Sequence, residues 1–316
     1  MIVICGATAT GKTALSIALS QRFGGEVINA DSRYLYRGMD IGVAKPTMAE
    51  RKGVPHHLID ILDLDDPEGM SLAVFQELAF SAIDDVLARG NLPFLVGGTP
   101  LYINAVVENW RIPRVAPDQA FRARMEQEIT ERGLEPVVER LRAVDPAAAE
   151  RSATNPRRVI RALEIFEATG QPMSELEGKD APRYRALELG LSMPRERLYQ
   201  AIDDRVDDQI AQGLEREVRT LLESGVPRSN PAFSALGYRQ LFPAIDGELS
   251  LEESIQTIKH DTHRYVRHQE TWLRKNPRIV WLDVTQNGWE RQAAAAIEAF
   301  LAGTNLSPSH ATRSIQ

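Results

Sequence analysis

A glycine-bounded loop near the amino terminus constrains the fold of this chain more than any other stretch. An apolar run at 1–5 leads into Gly6-Ala-Thr-Ala-Thr-Gly-Lys-Thr13, and residues 14–23 then have helical character. This order matches the phosphate-binding pattern G-x-x-x-x-G-K-[ST], the P-loop, between a strand and a helix. Backbone N–H groups of such a loop surround phosphate oxygens, and the helix points the positive end of its dipole at the same place. The stretch therefore predicts a phosphate site in an α/β fold.

Two side chains at the end of this loop indicate how the phosphate is held. Lys12 adds a point charge, and the hydroxyl of Thr13 is able to ligate Mg²⁺. The pattern does not say which phosphate compound is bound, because kinases, nucleotidases and some group transferases all use it.

The composition is typical of an ordinary globular protein. The 316 residues have a net charge of −7, with 43% hydrophobic and 26% charged residues, which suits two domains or one domain with an insertion. No run approaches the roughly 18 apolar residues of a membrane span, and the loop at Gly6 leaves no room for a signal peptide, so we expect a cytoplasmic protein. The single cysteine, Cys5, excludes disulfide frameworks and cysteine-built zinc sites.

Two further strand-like stretches, at 26–32 and 92–99, end in polar side chains. Because ligands of an open parallel sheet lie beyond the carboxyl ends of its strands, we expect Asp31, Ser32 and Thr99 to share a crevice with the loop. Asp31 is then a candidate proton acceptor or ligand of a metal-bound water, although a helix cap is an alternative role. Thr99 follows two glycines, so it either offers a hydroxyl to a ligand or forms a plain turn.

The chain becomes helical at about residue 114. Helices are predicted at 72–89, 120–132, 135–144, 146–151, 155–169, 195–213, 215–224, 251–275 and 288–301. Strands are predicted at 186–192, between the fifth and sixth of these helices, and at 278–283, before the last. This order predicts an α/β core of residues 1–113 and 187–303 that is interrupted by an all-helical insertion at 114–186. The segment 171–185 is expected to be a flexible return, and the tail 304–316 to be disordered.

Basic residues cluster locally, although the net charge argues mildly against nucleic-acid binding. Arg157, Arg158 and Arg161 fall within five residues, and six lysines and arginines with three histidines lie between 259 and 278. These clusters are either nucleic-acid contacts or solvated faces balanced by acidic residues elsewhere.

Seven stretches stand in a fixed order over about residues 1–300, at 6–13, 31–46, 56–60, 96–102, 157–164, 235–239 and 267–274. Together they resemble the motifs of the tRNA dimethylallyltransferase family, also called tRNA isopentenyltransferase. The resemblance implies a P-loop NTPase-like parallel sheet flanked by helices, with a helical insertion that binds tRNA. It also implies transfer of a dimethylallyl group from dimethylallyl diphosphate to the exocyclic N6 amine of the adenine immediately 3′ of the tRNA anticodon.

The resemblance also implies roles for individual residues. Asp31 matches the family's catalytic aspartate, and Thr99 matches a threonine beside the reacting groups. With Mg²⁺ held partly by Thr13, the diphosphate would be bound by Gly6, Ala7, Thr8, Ala9, Thr10, Gly11, Lys12, Thr13 and Arg205. The positions that align with tRNA-contacting stretches are Asp31, Ser32, Arg33, Tyr34, Thr99, Arg122, Arg157, Arg158, Val159, Ile160, Arg161, Gly237, Tyr238 and Arg239. The target base is expected to leave the anticodon stack and enter a protein channel, which needs only local basic clusters.

Three positions depart from the family pattern. Tyr34 stands where glutamine is usual, Val43 where threonine is usual and Pro100 where glycine is usual. An aromatic ring at Tyr34 could stack on a base. The chain also lacks the Cys/His zinc finger of eukaryotic members.

Three other functions stay open at this point. They are a small-molecule P-loop kinase, an adenylate isopentenyltransferase that acts on free AMP, and a nucleotide-dependent RNA-binding switch without catalysis. The kinase would leave the arginine-rich insertion and the basic helix near the carboxyl end unexplained. The chain is expected to act as a monomer and not to bind a membrane.

Overall fold

The computed structural model describes residues 1–66 and 69–303, so the tail predicted to be disordered, 304–316, lies outside the described residues. The strands are β1 Ile2–Gly6, β2 Gly25–Asn29, β3 His56–His57, β4 Leu92–Gly97, β5 Trp110–Arg111, β6 Gly178–Lys179, β7 Leu187–Ser192 and β8 Val280–Asp283. The α-helices are α1 Lys12–Phe23, α2 Leu72–Ala88, α3 Pro100–Val107, α4 Gln119–Arg132, α5 Glu135–Val144, α6 Pro146–Ser152, α7 Pro156–Thr169, α8 Met173–Leu176, α9 Arg195–Gln212, α10 Leu214–Glu223, α11 Phe242–Ile245, α12 Leu251–Leu273 and α13 Trp289–Leu301. Two short 3₁₀ helices span Pro231–Ser234 and Arg239–Leu241.

A six-stranded sheet in the order β3-β2-β4-β1-β7-β8 carries the fold, and every adjacent pair in it is parallel. All five residues of β1 are buried, as expected for a parallel strand covered on both faces. Since the strands are parallel, the carboxyl ends of β1, β2 and β4 meet at one edge of the sheet, where the loop 6–11, Asp31 and Thr99 follow them. The predicted α/β class is confirmed.

The chain divides into two compact units. Unit 1 comprises residues 1–70, 75–103 and 184 onward, and unit 2 comprises residues 71–74 and 104–183. Unit 1 contains the parallel sheet. One of its apolar clusters packs β1, β4 and β7 against α1 and α13, through side chains such as Ile4, Leu15 and Ile297. A second cluster gathers α9, α10, α12 and the segment 232–241.

Unit 2 is built mainly from α4 to α7. These helices enclose their own apolar core, in which Phe121, Val138, Leu141 and Val159 are buried. Side-chain caps begin three of the helices, since Asp118, Asp145 and Asn155 each accept a backbone N–H of the first turn. The antiparallel pair β5–β6 was not predicted, because strands of two residues carry no readable periodicity.

The predicted helices are found with ends within about two residues of their predicted positions. The longest, α12, begins with a capping box in which Ser250 and Glu253 exchange hydrogen bonds. No described helix is long and apolar enough to cross a membrane.

Candidate active site

The loop between β1 and α1 is held in shape by its own residues. Gly6 has a φ of +148°, and a Cβ at this position would lie 2.7 Å from the carbonyl oxygen of Leu191, so only glycine fits. Thr10 Oγ1 donates a hydrogen bond of 2.8 Å to the carbonyl of Ala7. Gly6, Ala7 and Thr10 are buried, whereas Thr8, Ala9, Gly11, Lys12 and Thr13 are at least partly accessible. The buried residues therefore shape the loop, and the accessible ones form its binding face.

The first turn of α1 is prepared for an anion. Gly11 occupies the N-cap position without a side-chain acceptor, and the first turn contains no acidic residue. The N–H groups and the positive end of the helix dipole are thus left for a ligand. Lys12 Nζ lies at the same place and donates to the carbonyl of Ala7 at 2.7 Å. Burial lowers the pKa of Lys12 to about 8, with Asp31 opposing the change and Arg205 adding to it.

Asp31 and Thr99 approach each other beyond the ends of β2 and β4. The Asp31 backbone N–H is fixed by Asn29 Oδ1 at 2.8 Å, and Asp31 Oδ1 accepts the N–H of Arg33 at 2.9 Å. Ser32 N donates to Thr99 Oγ1 at 3.2 Å. Within the described residues no hydrogen bond engages Asp31 Oδ2, so this oxygen is available to a ligand.

Two cavities open on these residues, both lined by unit 1. The P-loop cavity has a volume of about 600 Å³ and includes Thr13 and Tyr34 in its wall. The α12 cavity has a volume of about 420 Å³ and includes Ser32, Arg33 and Thr99. Thr8, Lys12, Asp31 and Arg205 line both cavities. Asp31, Thr99 and the loop residues Thr8 and Lys12 therefore line one cavity, as predicted, and all of these except Thr99 also line the second.

The outer wall of the α12 cavity is basic and aromatic. It includes Arg239, Arg264, Tyr265 and His268, all of which are exposed. Arginine and aromatic side chains around a cavity are typical of proteins that bind unstacked RNA bases.

Gln269 of α12 joins the two sides of the site, and its role was not predicted. Its Oε1 accepts the N–H of Thr8 at 3.1 Å, and its Nε2 donates to the carbonyl of Gly98 at 2.6 Å. One buried amide thus ties the phosphate loop to the turn that carries Thr99. The only signal in the sequence is the position of Gln269 inside the stretch 267–274, one of the seven that resemble the family's motifs.

Comparisons with known proteins decide between the functions left open by the sequence. A family model described as IPP transferase matches residues 34–276, and one described as Isopentenyl transferase matches residues 1–66. The tRNA dimethylallyltransferase of Thermomicrobium roseum is 56% identical over 302 residues, which are 95% of this chain and 91% of that protein. The chain belongs to the tRNA dimethylallyltransferase family.

Solved structures agree with this family membership. The tRNA isopentenylpyrophosphate transferase of Bacillus halodurans is 39% identical, with a TM-score of 0.69 over 96% of this chain and 95% of that one. A eukaryotic dimethylallyltransferase acting on tRNA is 28% identical, with a TM-score of 0.81 over 97% of this chain and 80% of that one. The P-loop NTPase-like fold implied by the family resemblance is thereby confirmed.

Four residues in the stretches that align with tRNA-contacting positions are interior. Val159 and Ile160 lie in the core of unit 2, and Tyr238 is completely buried in unit 1 beside the buried Gly237. These residues pack inside the protein next to the exposed Arg157, Arg158 and Arg239, and contact of their stretches with tRNA stays a prediction.

The side chains of Arg122 and Arg161 also form ion pairs within unit 2. Both bind the buried carboxylate of Glu164, Arg122 through two hydrogen bonds of 2.8 Å and Arg161 through one of 2.5 Å. Burial opposes the ionisation of Glu164, but hydrogen bonds from both arginines outweigh it and lower the pKa of this carboxyl. Their main observed role is structural, whereas Arg157 and Arg158 are exposed and form no ion pair with a described residue.

The three departures from the family pattern are accommodated locally. Tyr34 lines the P-loop cavity and donates its hydroxyl to the carbonyl of Ala44 at 2.9 Å, and it does not line the α12 cavity. Val43 uses its backbone carbonyl, which accepts Arg205 at 2.9 Å. Pro100 is the first residue of α3, where the missing N–H costs nothing.

Proposed function

We propose that this chain transfers a dimethylallyl group from dimethylallyl diphosphate to the N6 amine of the adenine immediately 3′ of a tRNA anticodon. The supporting observation is that Thr8 and Lys12 of the P-loop, together with Asp31, line both of two neighbouring cavities. The donor enters through the P-loop cavity, and the adenine enters through the α12 cavity.

The donor side stabilises the leaving diphosphate. Lys12, Arg205 and the N–H groups at the start of α1 surround the position where negative charge develops as the carbon–oxygen bond breaks. The hydroxyl of Thr13 lines this cavity and is an oxygen ligand of the kind that Mg²⁺ prefers, and the carboxylate of Asp31 in the same wall could accept a hydrogen bond from water on the ion, so the residues present fit Mg²⁺. Bound Mg²⁺ would add positive charge against the diphosphate oxygens.

The acceptor side activates the adenine. Asp31 Oδ2 accepts a hydrogen bond from the N6 amine, and the amine nitrogen forms a bond to the first carbon of the dimethylallyl group. The bond from that carbon to the diphosphate oxygen breaks, diphosphate leaves with the electron pair, and the proton of the amine passes to Asp31. Thr99 fixes Asp31 and Ser32 relative to the loop through its hydrogen bond with Ser32 N.

Exposed arginines hold the RNA. We assign this role to Arg239 and Arg264 at the α12 cavity and to Arg157 and Arg158 on unit 2, because their guanidinium groups are accessible to phosphates and bases. We also propose that the chain acts as a monomer in the cytoplasm.

Incubation of the purified protein with dimethylallyl diphosphate, Mg²⁺ and an unmodified tRNA transcript tests the proposal. Mass spectrometry of the digested RNA is expected to show N6-dimethylallyladenosine. A transcript with guanine in place of the adenine 3′ of the anticodon is the matched control and should stay unmodified. Product on free AMP without product on tRNA, or transfer of phosphate from ATP to a metabolite, would refute the proposal.

A further inference from the structure

A buried tyrosine in the 235–239 motif touches a carboxylate where the sequence predicted contact with RNA. Tyr238 is completely buried, and its hydroxyl donates to Glu217 Oε1 of α10 at 2.6 Å. Its ring packs against the backbone of Gly42, since a Cβ on Gly42 would lie 2.4 Å from the ring. Burial raises the pKa of Tyr238, with the negative charge of Glu217 adding to the shift, so the hydroxyl stays a donor.

The carboxylate of Glu217 holds the loop 40–42 by its N–H groups. Glu217 Oε2 accepts Asp40 N at 3.0 Å and Ile41 N at 2.8 Å, and Oε1 accepts Gly42 N at 3.2 Å. Together with the tyrosine hydroxyl, four donors converge on one carboxylate. Charged hydrogen bonds of this kind are stronger than neutral ones and fix geometry.

The same loop is held from its carbonyl side by α9. Gln209 Nε2 donates to the carbonyls of Ile41 and Gly42, each at 2.7 Å. The loop 40–42 is therefore clamped on both sides of its peptide groups, by a side chain from α9 and one from α10.

The residue that follows the loop 40–42 binds Arg205, the arginine assigned to the diphosphate. The next residue, Val43, accepts Arg205 Nη2 at 2.9 Å through its carbonyl. Among the described residues this is the only hydrogen bond or ion pair of the Arg205 guanidinium. The direction of this cation, which lines both cavities, therefore depends on where the loop holds the carbonyl of Val43.

We propose that Tyr238 and Glu217 are positioning residues for Arg205. They fix the loop 40–42, the loop fixes the carbonyl of Val43, and that carbonyl aims Arg205 at the diphosphate. This inference rests on the proposed prenyl transfer, because it assigns Arg205 to the donor. It also explains why a buried tyrosine stands in a motif that resembles RNA-contacting stretches: its neighbour Arg239 reaches the α12 cavity, while Tyr238 acts on the donor side.

The variant Tyr238→Phe tests the proposal, because it keeps the ring against Gly42 and removes only the hydroxyl. Steady-state kinetics at saturating tRNA should show that kcat/KM for dimethylallyl diphosphate falls roughly tenfold, which is the change expected when one charged hydrogen bond is lost. The dissociation constant for tRNA, from filter binding, should stay within about twofold of wild type. Tyr184→Phe is the matched control, since the Tyr184 hydroxyl donates to Asp84 away from both cavities, and it should change neither quantity.

A double-mutant cycle with Arg205→Ala separates positioning from other roles. If Tyr238 acts through Arg205, adding Tyr238→Phe to Arg205→Ala causes no further loss of donor kcat/KM. Additive losses would contradict the proposal, and so would weakened tRNA binding with unchanged donor kinetics or a fully wild-type Tyr238→Phe.

The variant Glu217→Gln provides a second route if Tyr238→Phe fails to fold. It keeps the side-chain shape but removes the charge, and it should lower donor kcat/KM in the same direction with tRNA affinity unchanged. Glu215→Gln on the same helix, where Glu215 pairs with Arg219 at the surface, is its control. Wild-type protein is assayed in parallel: absence of prenylated adenosine there would refute the proposed function, whereas wild-type activity with unaffected variants would refute only the positioning role.

Discussion

Asp31 and Lys12 both line the two cavities, and their opposite tasks can be separated by experiment. Asp31→Asn keeps an oxygen that can accept the N–H of Arg33 but cannot take a proton. We expect prenyl transfer to fall by a factor on the order of 10² to 10⁴, the usual contribution of a general base, with tRNA binding nearly unchanged. Single-turnover assays with nucleoside mass spectrometry measure the rate.

Asp63→Asn is a suitable control for this substitution, because Asp63 is an exposed carboxylate paired with Arg37. It should leave the rate unchanged. Turnover of Asp31→Asn at the wild-type rate would remove Asp31 as the base.

The lowered pKa of Lys12 predicts that kcat/KM for the prenyl donor depends on pH. Because burial lowers its pKa to about 8, the ammonium is charged below that pH and loses its proton as the pH rises through it. The value of kcat/KM for dimethylallyl diphosphate reports the free enzyme, so it should fall above about pH 8. In Lys12→Arg, whose guanidinium stays charged, this fall should disappear even if the rate is lower. A wild-type profile that stays level to pH 10 would contradict the assignment.

The sequence was sufficient to locate site residues that belong to one local pattern, and it was insufficient to identify side chains whose partners are distant in the chain. Lys12 and Thr13 follow from one loop pattern, and Asp31 and Thr99 follow from the rule for strand ends. Gln269 meets Thr8 across 261 positions of sequence, and Glu217 meets Gly42 across 175. No spacing within a motif encodes such contacts, so the partners of these side chains could be identified only in the folded chain.

Helix α7 presents two kinds of arginine, and they should respond differently to removal. Replacing the exposed Arg157 and Arg158 with alanine is expected to weaken tRNA binding and to reduce the slope of log affinity against log salt by about 1 to 2. Filter binding at several salt concentrations measures both quantities. An unchanged slope would place the RNA contacts of the protein elsewhere.

Arg161→Ala is the informative comparison on the same helix. Arg161 donates to Glu164 and to the carbonyl of Val115, so its loss leaves a buried carboxylate with fewer partners. The expected effect is a lower melting temperature, with a smaller change in the salt slope than for the exposed pair.

Elements with strong end signals were predicted well, and short ones were not. α12 has a capping box, and α1 is bounded by Gly11 and Gly24. α3 was not predicted, because the glycines before Thr99 indicate a turn at this point, whereas Pro100, the next residue, is of the type favoured at the first position of a helix. The predicted flexible return at 171–185 contains α8 and β6, elements of four and two residues. Segments of this length are stabilised by their surroundings more than by their own pattern.

At the scale of the whole fold, a buried acidic residue links stability to pH. Glu26 of β2 binds Arg89 and Asn91, and His57 Nε2 lies 2.6 Å from its Oε2. Hydrogen bonds from Arg89 in particular lower the pKa of Glu26 to about 2. Because this pKa lies below the usual value, the stabilisation is complete above about pH 4.5 and is lost as the pH falls toward 2.

Glu26→Gln should therefore be less stable than wild type at pH 7, by about 2 kcal/mol, and the difference should shrink as the pH approaches 2. Urea unfolding of both proteins between pH 2 and 7 measures it. A difference that is constant over this range would show that Glu26 does not stabilise the fold through its charge.

The pairing of β1 with β7 has a consequence for how this protein becomes active during synthesis. β1 is complete at residue 6 and its first neighbour β4 follows at Leu92, but its second neighbour begins only at Leu187, and the amide that ties Thr8 to Gly98 belongs to residue 269. On the ribosome, α4 to α7 emerge as one continuous stretch with local contacts and are free to fold early, whereas the sheet must wait for distant partners. A nascent chain stopped before residue 269 carries the whole anion loop and yet cannot assemble the catalytic centre.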